Sequence, residues 1–302
     1  MRFRQIPSMG LCILALLLSL LPLAAFAQEA DAPGPEDGLS SFPQFESLFL
    51  DEEQEPILTE TSYLSHNVLV EISTDRFCDS DIYIADIYVR DLSLFRRGYP
   101  TGKWGVKTQK ITTLSQELGA IVSITGDYAK NLEVGLVYGN GVRYRKSVNN
   151  KRQVGVIYKT GEMEILPGKD LHYYDLEKDE RGIWETFLFG PSLLDGEGHA
   201  MTQFSSDVKP ANPRSVVGYF EPGHYCLVQV DGRGVKSKLE SGARSKGLTL
   251  AQLSEYMESL GCAAAYNLDG GASCMMWFNG EIISTPYEGG RSTWDVLYVP
   301  ML

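Results

Sequence analysis

The chain is short of positive charge. Lysine and arginine number 27 against 39 aspartates and glutamates, a formal net charge of −12 over 302 residues. Binding to a nucleic-acid backbone depends on clustered cations that displace counterions, so this balance argues against nucleic acid as a partner. Neither H-E-x-x-H nor Cys-x-x-Cys occurs, which leaves a zinc site with weak support. G-x-x-x-x-G-K-[ST] is missing too, and Ser273 lies in Gly-Gly-Ala-Ser-Cys rather than in G-x-S-x-G, so neither a P-loop nor a nucleophile elbow is indicated. Of 4 histidines, His224 alone lies near the glycine-rich turns discussed below, and a lone histidine beside a strand is more often structural than catalytic.

The long hydrophobic run is confined to the N-terminus. Residues 1–27 carry Arg2 and Arg4, an unbroken apolar stretch and an Ala25-Phe26-Ala27 cleavage pattern, the arrangement of a signal peptide. Export to the cell surface or the medium is expected; left uncleaved, the same segment would tie the chain to a membrane. Beyond it remain Cys78, Cys226, Cys262 and Cys274. Four cysteines allow three pairings between which the sequence does not choose. Buried free thiols fit equally well, as in Tyr225-Cys226-Leu227-Val228. Residues 28–59 are acidic, rich in Pro and Ser and without periodicity, and read as a solvated tether.

From residue 60 to 302 the pattern is that of one domain, α+β in class, with a mixed, largely antiparallel sheet core and few flanking helices. VLVEISTD and DIYIADIYVRD alternate apolar and polar residues, as half-buried strands do. Asn140-Gly141 and Thr160-Gly161 stand between such runs as hairpin turns. A helix is expected after Leu248, with Thr249 as N-cap, an apolar stripe of Leu250, Leu253, Met257 and Leu260, and Gly261 past its end.

Three carboxylates stand beside a glycine where an apolar strand ends: Gly126-Asp127, Asp231-Gly232 and Asp269-Gly270. An isolated Asp-Gly after a strand is usually a turn. Asn267-Leu-Asp-Gly-Gly-Ala-Ser273 is less easily dismissed, because its lack of side-chain bulk exposes backbone N–H groups beside a carboxylate. Such donors suit a sugar or phosphate oxygen, with the acid near enough to exchange a proton. Arg214, Arg233 and Arg291 each adjoin a glycine-rich turn and are candidates for paired contacts to phosphate; for Arg291 a salt bridge to a neighbouring acid is an equal alternative.

Taken in order, these motifs resemble the phosphodiester glycosidase domain family, that of N-acetylglucosamine-1-phosphodiester α-N-acetylglucosaminidase-like proteins, which includes secreted bacterial members called exopolysaccharide-related. The resemblance spans roughly residues 110–302. Thr125-Gly126-Asp127-Tyr128 resembles the family's N-G-[GD]-[YF] turn, Phe189-Gly-Pro-Ser-Leu-Leu-Asp-Gly196 its F-G-P segment, and Asn212-Pro-Arg214 its N-P-R start. Asp231-Gly-Arg233, the helix after Leu248, Asn267–Ser273 and Gly-Gly-Arg291 follow. Thr125 replaces the usual Asn and Ala272 a third Gly; Ala129 and Cys274 are further departures.

The resemblance implies hydrolysis of a sugar-1-phosphodiester, GlcNAc-1-phosphodiester-like, in a surface or extracellular glycan or a small phosphodiester. Asp269 and Asp127 are the expected carboxylate pair, with Asp231 third. Arg214 and Arg233 would hold the phosphate. Thr125, Gly126, Asn267, Gly270, Gly271, Ser273 and Arg291 would complete the substrate site. No cofactor is required, although aspartate oxygens could also serve Ca²⁺. The altered Thr125 and Ala272 leave open a non-catalytic glycan-binding or polymer-assembly protein on the same fold.

Overall fold

The computed structural model describes residues 38–147, 151–168 and 176–302; the export segment lies outside the described residues. Two antiparallel sheets form the body. The larger has seven strands in the order Ile57–Leu58, Ser62–Leu64, Val68–Phe77, Ser80–Val89, His224–Val230, Arg214–Glu221, Ala264–Asn267. The other has five, in the order Glu281–Ile282, Met276–Phe278, Ala120–Thr125, Val296–Pro300, Arg96–Gly98. A three-stranded sheet centred on Val154–Tyr158 and two short hairpins complete the β structure. All pairings between these strands are antiparallel.

Local sequence explains the elements that frame the site. Val137–Gly139 and Val142–Arg145 pair across Asn140-Gly141, both at positive φ (51° and 76°), which is the backbone a two-residue hairpin turn needs. The helix Leu250–Ser259 opens on a capping box in which Thr249 Oγ1 accepts from the Gln252 N–H and the Gln252 side chain accepts from the Thr249 N–H. Its Leu250, Leu253 and Met257 pack on Val216, Cys226 and Val228 of the large sheet. Between the sheets, Val217, Leu227, Tyr266, Ile124 and Leu297 belong to one continuous apolar core.

One expectation changes, and one open choice is resolved. Residues 39–58 are not a free tether: Phe42 and Phe45 are buried in the main core, the Phe42 N–H donates to Arg90 O, and Ile57–Leu58 forms the sheet's edge strand. The acidic composition masked two aromatic anchors whose burial outweighs the cost of ordering the segment. The four cysteines are free thiols, with Cys226 and Cys262 sulfurs 3.8 Å apart and Cys78 exposed.

Candidate active site

The two sheets meet at the ends of Ala120–Thr125 and Ala264–Asn267. Past each strand the chain loses its ladder partners and turns through residues without bulk. The Leu268 N–H donates to Ser215 O, and the Asp269 N–H donates to Gly126 O at 3.3 Å, so the two turns are stitched across the sheet boundary. Gly126 admits nothing larger, since a Cβ there would lie 2.0 Å from Asp295 Oδ1. At Gly271 φ is +65°, and a Cβ would press on the Arg233 guanidinium at 2.8 Å. Thr125 is buried, its hydroxyl donating to the carbonyl of Ser273. It therefore braces the 269–274 turn and does not face an open site.

Asp269 is the carboxylate at this junction that reaches the surface, at 8% exposure. Arg291 Nη2 lies 3.2 Å from its Oδ2, and Arg291 Nε donates to the hydroxyl of Ser273, which itself bonds Asp269. The Arg291 side chain is 53% exposed, so a ligand can approach the guanidinium while it holds Asp269. Burial pushes the Asp269 pKa upward, against the pull of Ser273 and Arg291.

Arg233 stands beside this pair. Its backbone is left-handed (φ 57°), which turns the side chain over the Tyr287 ring, 5.1 Å from its centroid. Nε and Nη2 donate to Asn212 Oδ1 at 3.3 and 3.2 Å. It is exposed and pairs with no acid among the described residues. Gly270 lies against Pro213 O, where a Cβ would approach to 2.8 Å. The sequence-predicted Asp269, Arg291, Arg233, Gly270, Gly271 and Ser273 are thus brought together.

Asp127 lies beneath them. It is 2% exposed, and its two oxygens accept the N–H groups of Leu188 (2.7 Å) and Phe189 (2.8 Å). Its own N–H donates to Asp295 Oδ1 at 2.7 Å. That carboxylate is spent on fixing the chain that leads into the cis Gly190–Pro191 bond. Asn267 works on the same segment: its Nδ2 donates to Gly190 O at 2.8 Å, while its N–H donates to Pro191 O. Both residues shape the site from behind.

Arg214 and Asp231 are likewise buried and committed to partners outside the Asp269 rim. Arg214 is 2% exposed and donates to Leu248 O (2.9 Å), Val208 O (2.7 Å) and Pro210 O (2.6 Å). Burial draws its pKa down to about 10. Asp231 accepts the Thr285 N–H at 3.0 and 2.9 Å, and burial, with Asp81 nearby, raises its pKa to about 7. It anchors the base of the loop that carries Tyr287 and Arg291. His224 is stacked between Tyr88 and Phe220 with Nε2 2.7 Å from Asp86, remote in role from the site.

Three residues that the sequence reading did not single out matter here. Arg97, wholly buried, lies 3.1 Å from Glu185 and 3.9 Å from Asp295, its charge also felt by Asp127. One guanidinium thus faces three buried carboxyls. Burial outweighs its attraction, and the pKa values of Glu185 and Asp295 rise to about 7. An acid at the head of an apolar strand (Asp295-Val-Leu-Tyr-Val) was a legible signal; Arg97 in Phe-Arg-Arg-Gly had none. Among the described residues no group of three or more His, Cys, Asp or Glu is placed to hold a metal ion, and no helix is long and apolar enough to cross a membrane.

The chain belongs to the phosphodiester glycosidase family, whose model matches residues 118–300. Its fold is similar to that of the zebrafish N-acetylglucosamine-1-phosphodiester alpha-N-acetylglucosaminidase catalytic domain, solved in a form auto-inhibited by its pro-peptide. That likeness has a TM-score of 0.59 and 19% identity, over 78% of this chain and 83% of that one. A hypothetical protein from Synechocystis is similar at TM-score 0.56 and 12% identity, over 78% and 62% of the two chains. In sequence, the SPbeta prophage-derived uncharacterized protein YomE of Bacillus subtilis (strain 168) is 26% identical over 210 residues, 66% of this chain; the match spans 31% of that relative's length.

Proposed function

We propose that the protein is an exported glycosidase that hydrolyses a sugar-1-phosphodiester, of the GlcNAc-1-phosphate type, in a surface or extracellular glycan. The observation that carries the reading is one solvent-reaching carboxylate, Asp269, held by Arg291 and Ser273 beside the exposed Arg233. Family membership supports the bond type.

Glycosyl cleavage usually employs two carboxyls, one to protonate the departing oxygen. A phosphate monoester is a good leaving group without that proton, so a single carboxylate is adequate. Asp269 acts on the sugar side, taking the proton of the attacking water; a base with a raised pKa is the stronger acceptor. Arg233 and Arg291 hold the phosphate charge, which grows on the departing oxygen as the bond breaks. Asp127 and Asn267 act through the chain at 188–191, and Asp231 through Thr285.

The test is release of free sugar from a synthetic α-GlcNAc-1-phosphodiester by the purified protein. Turnover that disappears in Asp269→Asn at unchanged melting temperature supports the reading. Glycan binding with no turnover, indifferent to Asp269, would replace it with a binding protein. Treatment with EDTA should leave the rate unchanged; abolition would transfer the aspartates to a cation.

A further inference from the structure

A second feature adjoins the scaffold of the site. A cleft of about 890 Å³ has the cis Gly190–Pro191 turn in its lining. This is the segment that Asp127 and Asn267 fix from behind, so cleft and Asp269 rim share one support. The volume is near the top of the roughly 300–1,000 Å³ common for ligand sites, more than a single hexose fills.

Its charge is opposite to that of the chain. Among the described residues, Lys151, Arg152 and Lys209 line it against one acid, Asp207, in a protein of net charge −12. Arg152 and Lys209 are both exposed. Arg152 gives one hydrogen bond, Nη1 to Phe189 O at 2.9 Å, and Lys209 Nζ has no partner among the described residues. Behind the wall, Arg214 ties Val208 and Pro210 through their carbonyls, and among the described residues no carboxylate pairs with it. A buried unpaired guanidinium adds positive potential where solvent screens it least. The half-buried Phe189 and Phe204 add aromatic side chains to the same lining, a residue type that sugar C–H faces pack against.

Arg152 and Lys209, with no acid partner among the described residues, aromatic side chains and space beyond one ring are a poor match to a neutral sugar and a good one to alternating sugar and phosphate. An acidic protein repels a polyanion unless the contact surface is locally reversed in sign. We propose that the cleft is a second subsite that seats a neighbouring unit of a repeating sugar–phosphate polymer, so that the substrate is a chain of such units. The proposal rests on the glycosyl-phosphate reading of the Asp269 rim.

The experiment compares a single α-GlcNAc-1-phosphodiester with a synthetic oligomer of three such units, using wild type and Arg152→Ala/Lys209→Ala. In wild type kcat/KM should favour the oligomer by about tenfold or more at low salt, an effect worth about 1.4 kcal/mol. The double variant should lose that preference, keep its melting temperature and cleave the single phosphodiester as wild type does. Equal kcat/KM on both substrates in wild type, or a preference retained in the double variant, overturns the subsite. If neither substrate is cleaved, the hydrolase reading fails on its own, and calorimetric binding of the oligomer decides the cleft. Binding lost in the double variant supports it; no binding to wild type overturns it. Equally tight binding of an oligodeoxynucleotide of matching charge also overturns it, because the cleft would then select charge and not sugar.

Discussion

Arg291 Nη2 lies 3.2 Å from Asp269 Oδ2, and the same guanidinium donates through Nε to Ser273. The arginine therefore lowers the Asp269 pKa against burial, which raises it. If Asp269 is the base, kcat/KM must fall as pH drops through its pKa. Arg291→Ala removes the lowering influence, so the acidic limb of the pH–rate profile should move to higher pH. Loss of a phosphate contact should also cut kcat/KM by roughly 10²–10³-fold. A variant with reduced rate and an unmoved limb would mean that Arg291 touches only the phosphate and that another group sets the limb.

Asp127 and Asp269 should fail in different ways. Asp127 satisfies two buried N–H groups, and Asp127→Ala leaves both unpaired at a cost of roughly 2–4 kcal/mol. Asn at 127 recovers one acceptor and points an amide at the other donor, so it should destabilise as well. Asp269→Asn, at the surface end of the same cluster, should lower kcat by about 10³-fold or more while the melting temperature holds. Chemical denaturation alongside activity separates the two. An Asp127→Asn protein with wild-type stability and no turnover would return Asp127 to the chemistry.

The sequence made the hairpins, the capped helix and the strand-end glycine turns legible because each rests on neighbours within a few residues. Asn140-Gly141 asks for positive φ, and Thr249 with Gln252 closes its own helix end. The Asp269 turn was legible for the same reason. What a carboxylate faces across a sheet boundary is not local. Asp127 and Asp231 carry the same strand–Asp–Gly or Gly–Asp signature as Asp269, yet one closes on Leu188 and Phe189 and the other on Thr285. Arg214 sat in a motif and proved to be committed to three carbonyls. Arg97, which balances the buried acids, lies on an edge strand that precedes all the strand-end turns of the site in sequence. The Phe45 to Leu50 patch was visible in the sequence, but the acidic composition around it argued for a tether, and it is packing that seats Phe42 and Phe45 in the core.

Glycines at the site divide by what stands opposite. Gly126→Ala would set a Cβ 2.0 Å from a carboxyl oxygen of Asp295, which is buried and held by the Asp127 N–H. Gly232→Ala would press on backbone, 2.8 Å from both Gly247 Cα and Pro213 N. Both should destabilise by roughly 2–4 kcal/mol. Gly271→Ala meets the end of a flexible arginine and pays about 1 kcal/mol for its positive φ. Its main effect should be to displace Arg233, raising KM several-fold at modest loss of stability. Thermal melts and steady-state kinetics on the three variants check the order, and a Gly271→Ala protein with unchanged KM would remove Arg233 from the phosphate site.

Asp231 gives the fold a pH dependence of definite sign. Its pKa is about 7 in the folded protein, through burial and the nearby Asp81, against about 3.9 in an unfolded chain. The folded state therefore binds the proton more tightly. Its contribution to stability is present in full below about pH 4 and is lost as pH rises through about 7. Asp295 and Glu185, also near 7, act in the same direction. Wild type should accordingly melt at lower temperature at pH 8 than at pH 5. Asp231→Asn keeps an oxygen for the Thr285 N–H but cannot ionise, so relative to wild type it should gain more at pH 8 than at pH 5, by roughly 1–3 kcal/mol or about 2–8 °C in melting temperature. The slope should flatten without vanishing, because the two acids near Arg97 still titrate. A variant whose melting curve falls with pH as steeply as wild type would show that Asp231 is ionised in the fold throughout this range and that the Thr285 contact, with Lys238 nearby, is enough to keep it so.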